Sequence, residues 1–207
     1  MYLSRIVIDL QKRRTLQALD SPEILHGMVE NCFPAKTERD LWRIDEMNGV
    51  PHLLLLSGEK PNLTSLTAQI GFPGMEGETR DCQKLLDRIL TGSIWQFRLA
   101  ANPVTSIPQP DQRRGKIAAI TIAERQREWL IRQGNRNGFL PVQGQFDVIR
   151  SEWKIFRNKG RTVSVLCVTY EGLLTVTDAE AFKTALRNGI GRGKAYGMGL
   201  MTVMSHE

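Results

Sequence analysis

The dipeptide Asn48-Gly49 constrains the fold more than any other feature of the chain. It separates two runs, 39–47 (RDLWRIDEM) and 52–57 (HLLLLS). Asn-Gly accepts positive φ at both positions of a two-residue turn, the backbone that matches the twist of paired strands, so these runs read as an antiparallel hairpin. A β-branched run at 2–10 reads as a mostly buried strand. Ser21-Pro22-Glu23 then starts a helix, with Ser21 as N-cap, Pro22 at the first helical position and an acidic first turn. Ile24, Leu25, Met28 and Val29 follow at helical spacing, and the helix stops before Phe33-Pro34. The order so far is strand, helix, strand, strand. Residues 63–70 read as a short helix and 71–77 as a Gly/Pro loop. Periodicity makes 79–90 helical, although a βαββαβ unit needs a closing strand.

The same order returns from Ile94. Residues 94–107 read as a strand ending near Pro108, followed by a basic, Pro-rich loop to Lys116. Residues 121–133 form an amphipathic helix with Ile122, Trp129 and Leu130 inward and Arg125, Arg127 and Arg132 largely outward. Strands at 146–156 and 162–175 flank a basic turn, Arg157 to Arg161. Asp178 caps a helix through Leu186, and 198–204 closes as a strand. The expectation is an α+β chain of two tandem ferredoxin-like (RRM-like) βαββαβ domains, residues 1–92 and 93–207. RNA-recognition domains share that topology.

Charge is compatible with a polyanionic partner without demanding one: 28 Lys and Arg against 22 Asp and Glu give +6 and a pI near 9.5. The three cysteines, Cys32, Cys82 and Cys167, are far apart and form neither a disulfide framework nor a CxxC pair, which suits a reducing cytoplasm. The apolar run at the start is too short to span a bilayer and lacks a signal-peptide pattern, so no membrane association is expected. The chain has no HxxxH and no paired cysteines, so neither a metal nor another cofactor is expected.

The most specific motif is GIGRGKAYGMG at 189–199. Gly189, Gly191, Gly193, Gly197 and Gly199 permit close approach of backbone N–H groups to an anion, and Arg192 and Lys194 lie among them. A dinucleotide fingerprint fails because Lys194 stands where the third glycine belongs, and the loop follows a helix instead of opening one. A P-loop fails on Asn188 and Ala195. A tight helix-to-strand connection remains an alternative. His26 offers an imidazole that exchanges protons near neutrality, although a lone helical histidine is often structural. Glu23, at i−3, shares its helix face and either orients His26 or serves only the helix dipole. Basic groups suited to phosphate are Arg113, Arg114 and Lys116 in one loop and Arg157, Lys159 and Arg161 at the hairpin tip. Arg125, Arg127, Arg132 and Arg136 lie on the helix.

The double-glycine loop resembles that of the CRISPR repeat-processing endoribonucleases, and more narrowly of the CasE type, a subunit of type I-E Cascade. Met1-Tyr2-Leu3-Ser4, Leu25-His26 ahead of Phe33-Pro34, Phe97-Arg98-Leu99 with Ala101-Asn102-Pro103, and Glu171-Gly172 with Leu174-Thr175 carry the same resemblance. It spans both halves and is poorest over 60–93. It implies a metal-independent endoribonuclease that cuts precursor CRISPR RNA at the base of the repeat hairpin by 2′-hydroxyl attack. The products carry a 2′,3′-cyclic phosphate and a 5′-hydroxyl. The enzyme, expected to be monomeric when free, keeps its product RNA and joins other Cascade subunits. His26 matches the family's catalytic histidine, while Glu23 stands where better-known relatives carry tyrosine. Arg98 lies in a matching strand and either reaches RNA or pairs internally. The rival expectation is an RNA-hairpin-binding subunit that cuts weakly or not at all, and a more distant one is a binder of small phosphorylated ligands.

Overall fold

The computed structural model describes residues 1–34, 40–110, 115–158 and 161–206, apart from the side chain of Asn158. Arg113, Arg114 and Lys159 therefore lie outside the described residues. The first half contains β1 (Tyr2–Val7), α1 (Arg13–Asp20), α2 (Pro22–Glu30), β2 (Leu41–Met47), β3 (Val50–Ser57), α3 (Thr64–Ile70), β4 (Glu78–Asp81) and α4 (Gln83–Asp87). Its four strands form one antiparallel sheet in the order β2-β3-β1-β4. The Asn48-Gly49 turn has φ 52° and 77° and joins Met47 directly to Val50, as a two-residue turn with both central φ values positive requires. Ser21 precedes α2 in extended conformation and Pro22 opens it, but the Ser21 side chain makes no capping hydrogen bond.

The second half contains β5 (Ile94–Ala101), β6 (Val104–Ile107), β7 (Lys116–Ala119), α5 (Ala123–Arg136), β8 (Phe139–Asn158), β9 (Arg161–Val176), α6 (Ala179–Asn188), a 3-10 turn (Lys194–Tyr196) and β10 (Met201–Ser205). The sheet order is β10-β5-β9-β8, the same permutation as in the first half. Two ferredoxin-like units thus follow each other. Asp178 caps α6 by accepting from the Ala181 N–H at 3.0 Å.

Three segments differ from expectation. Residues 94–107 are not one strand: Pro103 has no N–H to give a ladder, the chain breaks there, and Val104–Ile107 pairs with β7 in a separate ribbon. Within 79–90 both readings hold in part, since Glu78–Asp81 pairs with Tyr2–Arg5 and a helix occupies only Gln83–Asp87. Ile122, expected inward, precedes α5 and is exposed, whereas Trp129 and Leu130 are buried.

Each sheet buries one face under its helices. Ile6, Leu53 and Leu55 pack with Leu25, Met28 and Val29 of α2 and Leu66 of α3. Phe97, Leu99, Val168 and Tyr170 pack with Trp129 and Leu130 of α5 and Phe182 and Leu186 of α6. A small cluster, Leu41, Leu54, Leu56 and Leu200, joins the halves. Among the described residues no helix is long and apolar enough to cross a membrane.

Candidate functional site

His26 lies midway along α2 with its side chain one-third exposed (33%). Its Nε2 is 3.3 Å from Oε1 of Glu30, one turn further on. Nδ1 is sealed from solvent and, among the described residues, makes no hydrogen bond. Nε2 is therefore the nitrogen left to exchange a proton with an outside group. Glu23 is exposed, and among the described residues no ion pair or hydrogen bond links it to His26. The expected neighbour of His26 was one turn back, at position 23. The carboxylate that meets the imidazole lies one turn forward, where i,i+4 spacing was an available signal.

The other face of the site is the glycine loop, because α2 packs against the 3-10 turn Lys194–Tyr196. All five glycines have positive φ, from 74° at Gly189 to 92° at Gly199. Packing demands them as much as conformation does. A Cβ at Gly197 would lie 2.5 Å from the Trp42 ring, and one at Gly189 would lie 2.8 Å from Leu41 Cδ1. At Gly191 it would meet Trp129 at 3.2 Å. Trp42 and Leu41 belong to β2 and Trp129 to α5, so the loop is wedged between the halves.

Much of the loop's backbone is already engaged: Ile190 N–H donates to Gly199 O at 2.9 Å, and Gly199 N–H to Ala100 O at 2.7 Å. Lys194 Nζ donates to the Asn188 carbonyl at 2.6 Å, pinning the turn to the end of α6. Arg192 is exposed, and its backbone bridges to Asn102. Gly197→Ala is expected to destabilise the protein by about 1–3 kcal/mol through overpacking. Gly144→Ala is the control, since φ there is also positive, at 73°, but nothing lies within 4 Å. Equal melting temperatures for the two variants would remove the steric explanation.

Phe156 of β8 packs on Tyr196 with ring centroids 4.7 Å apart, so the β8–β9 hairpin springs from the same turn that abuts α2. Arg157 and Arg161 are exposed beside the hairpin tip. Lys116 is exposed at the start of β7, in the separate ribbon. On α5, Arg127 is paired with Asp147 at 2.7 Å and with Glu124 at 3.2 Å, while Arg125 and Arg136 are exposed.

Arg98 pairs with Glu171 of β9 and with Asp45 of β2. It lines a cleft between the open sheet faces that also holds Glu46, Glu78 and Asp81. Arg5 and Arg80 line it too, yet five carboxylates against three arginines leave it net negative and unfavourable to phosphate. The exposed positive groups Arg157, Arg161 and Arg192 lie instead on the loop and hairpin.

Residues 1–204 match the family model described as CRISPR associated protein. The chain is 28% identical to the CRISPR-associated endoribonuclease Cse3 of Thermus thermophilus, covering 98% of this chain and 99% of that protein. It is also 28% identical to the CRISPR system Cascade subunit CasE of Escherichia coli (strain K12), covering 98% of each. Among solved structures it superposes on CRISPR endoribonuclease Cse3 bound to a 19-nt RNA with a TM-score of 0.86 at 25% identity, over 99% of this chain and all (100%) of that one.

Proposed function

Because the chain belongs to the CRISPR associated protein family, we propose that it is an endoribonuclease of the CasE type that cuts the repeat hairpin of precursor CRISPR RNA. It keeps the product hairpin and joins the other Cascade subunits in the cytoplasm, monomeric until then. The observation that carries this reading is the meeting of three elements: α2 with His26, the 3-10 turn of the glycine loop, and the basic hairpin rooted on that turn. We take residues 1–92 and 93–207 as the two units that bring these elements together.

In the proposed reaction a 2′-hydroxyl loses its proton as O2′ bonds to phosphorus. The P–O5′ bond breaks and the 5′ oxygen takes up a proton. The products are a 2′,3′-cyclic phosphate and a 5′-hydroxyl, with no water consumed. This chemistry needs an acid and a base but no metal. Nε2 of His26 is assigned the proton transfer. Binding is assigned to Arg157, Lys159 and Arg161 at the tip, to Arg113, Arg114 and Lys116, and to Arg192 with the glycine backbone. Lys194, tied to Asn188, braces the loop. Arg98, held by two carboxylates, braces the contact between halves.

The test is cleavage of the cognate repeat RNA in EDTA, beside the same RNA with a 2′-deoxy sugar at the scissile position. Cutting of the first and none of the second is expected; cutting of both would overturn the mechanism. The rival reading, a clamp that binds without cutting, is favoured by the solvent-facing Glu23. It predicts an intact first RNA on the same gel.

A further inference from the structure

The β8–β9 hairpin has two faces of different character. Side chains alternate along a strand, and directly paired residues share a face. One face carries Phe156, Val163, Val165 and Cys167, and it packs toward Tyr196 and Met198 of the glycine loop. The other carries Ser151, Trp153, Ile155 and Arg157, opposite Thr162, Ser164 and Leu166. Helix α5 reaches this second face at Ser151, whose hydroxyl accepts from Gln126 Nε2 at 3.2 Å, and Leu166, paired with Trp153, is buried in the core that α5 covers. Beyond that point Trp153 is 52% exposed and Ile155 is 66% exposed. Among the described residues of this exposed stretch none is a carboxylate.

We propose that Trp153 is an RNA-contact residue that stacks on an unpaired base of the bound repeat RNA, with Arg157, Thr162 and Ser164 meeting the backbone beside it. The proposal rests on the endoribonuclease reading above and adds a contact to it. The chemistry of the face suits this partner. An indole offers a flat surface to any base, hydroxyls accept and donate to phosphate and ribose, and a guanidinium neutralises phosphate. The face also carries the exposed Arg157. Trp153 and Ile155, both exposed and on one face, form an apolar patch rimmed by polar residues, the kind of surface that marks an interaction site.

The four tryptophans make the test direct. Trp42, Trp95 and Trp129 are buried, so Trp153 alone presents its ring to an added quencher. Acrylamide quenching of the wild-type protein is measured with and without the cognate repeat RNA. RNA is expected to shield the exposed component, and Trp153→Phe is expected to lack that component while still binding. Trp153→Ala is expected to weaken RNA binding by roughly 5- to 150-fold.

Wild-type affinity in Trp153→Ala, or a Trp153 that acrylamide still reaches in the complex, overturns the proposal. So does shielding that requires the other Cascade subunits and not RNA, which would make the face a protein contact. Failure of the underlying reading looks different: the wild-type protein then neither binds nor cuts repeat RNA.

Discussion

Replacing His26 with alanine is expected to slow cleavage of the repeat hairpin by about 10²- to 10⁴-fold, the usual worth of a positioned acid–base group, while leaving hairpin affinity unchanged. The two effects separate because, among the described residues, no ion pair or hydrogen bond links the imidazole to a basic group assigned to RNA. Its partner is the Glu30 carboxylate, and its Nδ1 faces protein. Single-turnover rates with excess enzyme, beside a filter-binding titration, measure the two quantities independently. A variant that cuts at the wild-type rate would move the proton transfer to another group. If wild-type and variant both bind and neither cuts, the chain is a clamp. Glu23 is exposed in the free protein, one turn before His26, while Glu30 is one turn after it.

The parts of the fold legible in sequence were those with a local cause. Asn48-Gly49 specifies its own turn, Pro22 opens α2, and Asp178 caps α6 with its side chain. What escaped depended on contacts distant in sequence. Helix α1 follows Lys12, which makes no side-chain cap, and only Ser21 separates it from α2. Its buried residues are small, Thr15 and Ala18, so it shows no large apolar stripe. Strand β4 is four residues long and mostly exposed, and it is a strand because β1 would otherwise lack a partner on that side.

The site divides in the same way. The glycine pattern announced a backbone that no other residue could adopt, and positive φ at every position bears that out. The loop's packing against Trp42, Leu41 and Trp129 was invisible, because those residues come from β2 and α5. Pattern alone leaves the glycines between phosphate binding and a tight helix-to-strand connection. The structure adds a second reason for them, the close approach of two halves. Arg98 was open between RNA and an internal pair, and only the fold brings Asp45 and Glu171 to it.

Arg43 is expected to be the residue whose loss unfolds the arrangement. It is 2% exposed on β2, and its guanidinium uses all of its N–H groups. Nε and Nη2 donate to the two oxygens of Asp45 at 2.8 and 2.6 Å. Nη1 donates to Arg98 O at 3.0 Å and Leu200 O at 2.7 Å, and Nη2 also donates to Thr202 Oγ1 at 2.9 Å. One side chain of the first sheet therefore holds β5, β10 and the residue before β10 in the second. Arg43→Met leaves Asp45 buried with Arg98, 3.6 Å away, as its remaining counter-charge among the described residues, and takes a guanidinium donor from the carbonyls of Arg98 and Leu200. Breaking a buried pair in this way costs about 3–5 kcal/mol. For a chain of this length that lowers the melting temperature by about 6–20 °C. Arg43→Lys is expected to rescue little, because one ammonium cannot reproduce a planar fork. The double variant Arg43→Met with Asp45→Leu removes both charges and is expected to melt above Arg43→Met alone, which a purely steric role for Arg43 would not produce. The consequence reaches the chemistry: β2, tied to β5 and β10 through Arg43, also packs on the 3-10 turn that α2 meets. Variants folded well enough to bind RNA are therefore expected to cut it more slowly in proportion to how far that tie is loosened.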